Sequence, residues 1–134
     1  MTISAIQIGL HPAVIDYASP EFARFPGLTP DKLQAAHDGN IAQLRQAGFD
    51  VDGCQVDLGE TAVETVRQAI MSKHYDAVLI GAGIRLVARN TLLFEAIVNT
   101  VHELLPGARF VFNQDAVTSP DDLGRWFPDP ALAG

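Results

Sequence analysis

Four short apolar runs punctuate the chain, and between them lie longer stretches in which apolar residues recur every three or four positions. The first run, Ala5-Ile6-Gln7-Ile8-Gly9-Leu10, alternates in part and stops at His11-Pro12, where proline withholds the donor a ladder needs. Phe49 to Asp57 is short and more polar, which predicts a strand at the sheet edge. Ala77-Val78-Leu79-Ile80 is apolar throughout, as expected of a central strand covered on both faces. Arg109 to Asn113 makes a fourth strand.

The intervening stretches read as helices. Thr29-Pro30-Asp31 supplies an N-cap, a first-turn proline and an acid near the positive dipole end, and Gly48 closes the helix. Its residues Leu33, Ala36, Ile41, Leu44 and Ala47 lie near one face. Thr61-Ala62-Val63-Glu64 matches a capping box, with Val63, Val66 and Ile70 as the inner stripe of the next helix. A third helix runs from Leu92 to Leu105 and ends at Pro106-Gly107. Besides Leu93, Ile97, Val101 and Leu104 it carries Phe94, Val98 and Leu105, a wider apolar arc than one sheet face needs. Either a second contact with the C-terminal tail or a homodimer interface would answer that arc. In the tail, Ser119-Pro120-Asp121-Asp122 predicts a short final helix capped by Ser119 and anchored by Leu123, Trp126 and Phe127.

Alternating strands and helices predict an α/β fold: one domain over residues 1–134, a three-layer α/β/α sandwich of Rossmann or flavodoxin type with about four parallel strands. In such sheets ligands bind beyond the carboxyl ends of the strands, where strand order reverses. That rule selects His11, Asp57, the Gly81 to Arg85 loop, Asn113 and Asp115.

Composition narrows the partners. With a formal net charge of −7 and only nine scattered Lys and Arg residues, the chain is a poor match for nucleic acid or an anionic membrane surface. It lacks the run of about 18 apolar residues that would span a bilayer. The single cysteine, Cys54, has no partner for an internal disulfide, and the start Met1 to Ile6 lacks the pattern of a signal peptide, so a cytoplasmic location is expected.

Gly81-Ala82-Gly83 reads like the first half of a dinucleotide fingerprint. Leu86 stands where the third glycine belongs, the next helix is expected only near Thr91, and no acid ends a strand about 20 residues later, so no dinucleotide cofactor is expected. The acids of a receiver domain, a Ser/Thr-rich FMN phosphate loop and a P-loop are all missing from their expected places. His11, His37, His74 and His102 show no ligand spacing, so no metal is expected, and His37 and His102 read as surface residues of helices. What remains is a site for a small anionic ligand: the amides of Gly81, Ala82 and Gly83, a guanidinium fork from Arg85, help from Arg89 and Asn113, and His11 as the candidate acid or base. The competing readings are that Arg85 pairs with an acid such as Asp57 or Asp115 or lies at a subunit contact, and that His11 caps its strand and fixes the Pro12 turn.

Ala13 to Leu28 is long for a structureless connection in a compact domain. Tyr17, Phe22 and Phe25, with Asp16, Glu21 and Arg24, suit it to fold over the site as a lid or to reach a second subunit, and Pro20 and Pro26 argue against a continuous helix.

Asp76-Ala77-Val78-Leu79-Ile80-Gly81-Ala82-Gly83-Ile84-Arg85, followed by Leu93-Phe94-Glu95 and by Pro106-Gly107 before Phe112-Asn113, is similar to short, uncharacterised bacterial α/β proteins over the second half of the chain. The resemblance implies a Rossmann-like three-layer domain and transfers no substrate or catalytic residue. Two functional expectations follow. One is a small-molecule enzyme or binding protein for an anionic metabolite. The other is a non-catalytic homo-oligomeric or adaptor module that associates through helix 92–105 or segment 13–28.

Overall fold

A computed structural model describes residues 2–23, 25–114 and 118–131. Strands β1 (Ser4–Leu10), β2 (Asp50–Val56), β3 (Ala77–Ile80) and β4 (Arg109–Val111) form one parallel sheet in the order β2-β1-β3-β4. Helices α1 (Pro30–Gln46), α2 (Ala62–Met71), α4 (Thr91–Leu104) and α5 (Ser119–Gly124) cover it, and a single helical turn, α3 (Ala82–Arg85), follows β3. This is the expected small α/β sandwich. After β2 the chain crosses back over β1 to begin β3, so strand order reverses between β1 and β3, and a crevice is expected at their carboxyl ends.

Side-chain alternation divides the core into two layers. Ile6, Ile8 and Leu10 of β1 pack with Val78 and Ile80 of β3 against Val66 and Ile70 of α2 and Ile97 and Val101 of α4. Ile3 and Ala5, with Leu79 and Val111, meet Leu44 of α1 and Leu123 of α5 on the opposite face. Cys54 belongs to the first layer, where burial pushes its thiol up to about 11 and keeps it protonated and unreactive at neutral pH.

Several expectations need correction. Segment 13–28 is not structureless: it contains 3-10 turns at Pro12–Val14 and Pro20–Phe22, capped by His11 and Ser19. Strand β2 lies at the edge as expected, yet it is as long as β1, because all seven of its residues pair with β1. No capping box forms at Thr61. Its hydroxyl instead donates to Asp57 Oδ2 at 2.5 Å, and Asp57 also accepts from the Gly59 and Thr61 N–H groups, so Asp57 organises this turn.

The wide apolar arc on α4 is answered within the subunit, but not by the tail. Phe94 meets the ring of Phe112 edge-on at 6.0 Å, and Phe110 lies beside Phe112, so the far end of the sheet fills that side. Helix α5 lies on the other face, in the layer of α1, where Leu123 is fully buried and Phe127 packs beside it. Ser119 is the first residue of α5 rather than its cap, and Trp126 is half exposed, lying over the Arg109 guanidinium instead of anchoring the helix.

Candidate functional site

The crevice between β1 and β3 opens into a cavity of about 480 Å³ on the α1 face of the sheet. Its floor is the carboxyl-terminal half of β1 and the end of β3, from Leu79 through Gly83. Leu33, Ala36, His37 and Asn40 of α1 form one wall, and Asn113, Gln114 and Ser119 form another. Ile15, Phe22, Phe25 and Leu28 of segment 13–28 complete its lining. Rings Phe22 and Phe25 sit 5.8 Å apart and tilted by 45°. Glu21 ties the segment down by an ion pair with Arg89 at 3.2 Å, and Tyr17 donates its hydroxyl to the Pro12 carbonyl at 2.8 Å. Arg24 and Asp115 lie outside the described residues.

Gly81, Ala82, Gly83 and Asn113 therefore line the cavity, whereas His11, Arg85 and Arg89 do not. His11 is exposed and its Nδ1 accepts from the Ala13 N–H at 3.1 Å, which fixes the turn at Pro12. Arg89 is spent on Glu21. Arg85 turns away from the glycine amides: Nε donates to the Ile80 carbonyl at 2.7 Å, and one terminal nitrogen donates to both the carbonyl and Oδ1 of Asn113 at 2.8 Å. Its guanidinium also stacks on the Phe112 ring, 5.1 Å from the centroid. The fork expected to hold an anion instead clamps the ends of β3 and β4 together. Contrary to the sequence expectation of a delayed helix, α3 starts immediately after β3, and the N–H groups of Ala82 and Gly83 have no acceptor among the described residues.

Three buried polar residues line the cavity besides those expected at the site. Gln7 sits in the central strand β1 at 8% exposure, Asn40 in α1 at 7%, and Ser119 in α5 at 1%. Gln7 bonds to His37, which is half-buried rather than on the surface, with Nε2 to Nδ1 at 3.2 Å. An amide nitrogen only donates, so His37 Nδ1 accepts and the ring is the neutral Nε2–H tautomer. The ring can reach the sheet because its neighbour there is Gly53, the register partner of Gln7. A Cβ on Gly53 would lie 2.7 Å from His37 Nε2 and 2.8 Å from Ile41 Cδ1, so a side chain there would push the imidazole and Ile41 out of place.

The signal for these residues was present in α1. Its inward stripe runs Leu33, Ala36, His37, Asn40, Leu44, and two polar residues interrupt it where a helix covering only apolar sheet would carry leucine. Gln7 is the matching interruption in β1. No residue lining the cavity is Lys, Arg, Asp or Glu among the described residues, so His37 is its one ionisable side chain of neutral-range pKa. No group of three or more potential metal ligands occurs among the described residues either.

Burial lowers the His37 pKa below 6.5, and the nearby Asp38 carboxylate only partly opposes this. Between the lowered value and 6.5 the unfolded chain binds the extra proton, so the stabilisation from neutral His37 is complete above about pH 6.5 and is lost as pH falls. Urea midpoints should therefore drop more for the wild-type protein than for His37→Gln when the pH is lowered from about 7.5 to 5.5. Equal drops in the two proteins would show that His37 carries no such linkage.

Compared with known proteins, the chain matches no family model and no curated sequence. Among the described residues, no helix is long and apolar enough to cross a membrane.

Proposed function

We propose that this chain is a small-molecule-binding domain whose site is the covered cavity at the carboxyl ends of β1 and β3. The observation that carries the reading is the coincidence, at the point of strand reversal, of a ligand-sized cavity with buried polar residues lining it. Segment 13–28 acts as the lid, with the Glu21 to Arg89 pair as its latch. An anionic metabolite, the ligand expected from Arg85 and Arg89, finds neither arginine turned to the cavity, so among the described residues an anion there would rest on the amides of Ala82 and Gly83. Among the described residues no nucleophile is hydrogen-bonded to a base at the cavity, and the reading stops at binding.

A thermal-shift screen of metabolites tests this. At a ligand concentration of about 100 times Kd, linkage adds about 2.7 kcal/mol, or roughly 10 °C for a domain of this size. Ala36→Trp, which fills the cavity from α1, is expected to keep its circular dichroism spectrum and to lose the shift. A screen in which no compound shifts the wild-type protein would end the proposal.

Self-association through helix 92–105 or segment 13–28 is the second reading. It is favoured by Leu92, 75% exposed at the start of α4, with exposed Phe112 at the sheet end that α4 packs against. A monomer mass in sedimentation would exclude it.

A further inference from the structure

Resting on that reading of the cavity, we infer that its ligand is an uncharged, flat ring compound that inserts an amide-like edge, donor beside acceptor, between Gln7, Asn40 and Ser119. The cavity is graded. Apolar residues of the covering segment, Phe22 and Phe25, and the exposed Leu86 line it together with three buried polar residues, Gln7, Asn40 and Ser119, and the buried polar residues are taken as its deep end. A ligand that fits this gradient has its polar edge inside and its apolar body outward, against the two tilted rings.

The polar groups at the deep end are short of partners. Ser119 Oγ is fully buried and has no hydrogen-bond partner. Asn40 is 7% exposed as a whole residue, and its carboxamide has no hydrogen bond to any described residue. Gln7 uses its amide nitrogen on His37 and keeps Oε1 for a donor. Buried hydroxyls and carboxamides in this condition carry a desolvation cost that a ligand's own donors and acceptors relieve. Each of the three can serve an edge that carries both a donor and an acceptor, and none can neutralise a charge.

The described walls of the cavity offer a charged group no side chain of opposite sign. A carboxylate or phosphate driven to the deep end would be buried without a cation, since no Lys or Arg lines the cavity among the described residues. An ammonium would be equally unpaired, because no Asp or Glu lines it among them. Neutral His37, already accepting from Gln7, offers no positive charge there.

A matched probe series decides the matter: 2-naphthamide, 2-naphthoate, 2-(aminomethyl)naphthalene and 2-methylnaphthalene, with affinities from ligand-observed NMR titration. The amide is expected to bind about tenfold or more tightly than either charged compound, as for sites whose buried polar groups discriminate among analogues. Asn40→Leu, close in volume, should weaken the amide by about tenfold and leave 2-methylnaphthalene unchanged. Ser119→Ala should weaken the amide as well, with no loss of stability in the free protein. Tighter binding of the naphthoate or the amine, abolished by Ala36→Trp, would overturn the ligand class while leaving the cavity as the site. An Asn40→Leu change that weakened amide and hydrocarbon alike would also overturn the class. If none of the four binds, or if Ala36→Trp leaves binding untouched, the site itself is wrong and both proposals fall.

Discussion

Arg85→Ala is expected to lower the free energy of unfolding by about 3 kcal/mol, although the side chain looked like a ligand-binding residue that could be removed without harm to the fold. The reason is the location of its three acceptors. Ile80 O ends β3, and the carbonyl and Oδ1 of Asn113 lie just past β4, so one guanidinium satisfies groups that the ladder itself has stopped serving. Strand β4 has only three residues and pairs on one side alone, which leaves its carboxyl end dependent on this clamp. Hydrogen bonds to a charged group contribute about 1.5–3 kcal/mol each in favourable settings, and partial exposure of the side chain discounts the sum.

Arg85→Lys should recover little, because an ammonium on a flexible stem cannot span both strand ends or stack on Phe112 as the planar fork does. Ligand affinity should fall in both variants, since Asn113 lines the cavity and loses the two bonds from Arg85 that help to place it. Urea titration followed by circular dichroism checks the stability. A midpoint for Arg85→Ala equal to that of the wild-type protein would show the clamp to be idle, and Arg85 would return to consideration as a ligand residue.

How much of this was legible beforehand depends on the range of each interaction. The continuous apolar run Ala77–Ile80 identified a central strand because burial on both faces leaves a local signature, and the glycine that ends it marked the crevice. The end of α1 was equally plain: Gly48 adopts φ +103°, a conformation that glycine tolerates and that closes the helix. Arg85 was misjudged because its partners are set by strand order, and Asn113 lies 28 residues away in sequence. A guanidinium after two glycines carries no local mark that separates a ligand fork from a backbone clamp.

His37 and Asn40 were missed for a different reason. Each is an ordinary helix residue in isolation, and each becomes informative only when aligned with Gln7 and Gly53 on two neighbouring strands. A polar break in an inward stripe, a polar residue in a central strand and a glycine beside it in register together describe a built cavity. Serine before a proline commonly caps a helix, but Thr118 holds the cap position and Ser119 begins α5.

Asp122→Ala should be comparably damaging, at about 3 kcal/mol, and for a reason that links stability to the site. Asp122 is 1% exposed, and its carboxylate accepts from Thr118 Oγ1 at 2.6 Å, from the Gln114 N–H at 3.1 Å and from Arg125. Alanine would leave the Gln114 N–H with Thr118 Oγ1, at 3.2 Å, in place of its shared acceptor pair, and would take the carboxylate away from Thr118 and Arg125. The bond to Arg125 adds less than the others, because that side chain is 45% exposed. Burial alone would raise the Asp122 pKa, but the bonds from Thr118, Arg125 and the Gln114 amide outweigh it and hold the value below 3.8.

The sign of the pH dependence follows. A carboxylate with a depressed folded-state pKa stabilises fully above its unfolded value, about 3.8, and this contribution is lost as pH falls through the folded value. Wild-type and Asp122→Ala proteins should therefore differ most in unfolding midpoint at about pH 6, and the gap should narrow toward about pH 2. A gap that stayed constant over that range would mean that side-chain packing, and not the charge, holds α5 in place. Because Gln114 and Ser119 are both cavity wall, the same substitution should weaken ligand binding at neutral pH even where the protein remains folded. In this domain the carboxylate that staples the last helix also sets the position of the hydroxyl at the deep end of the site.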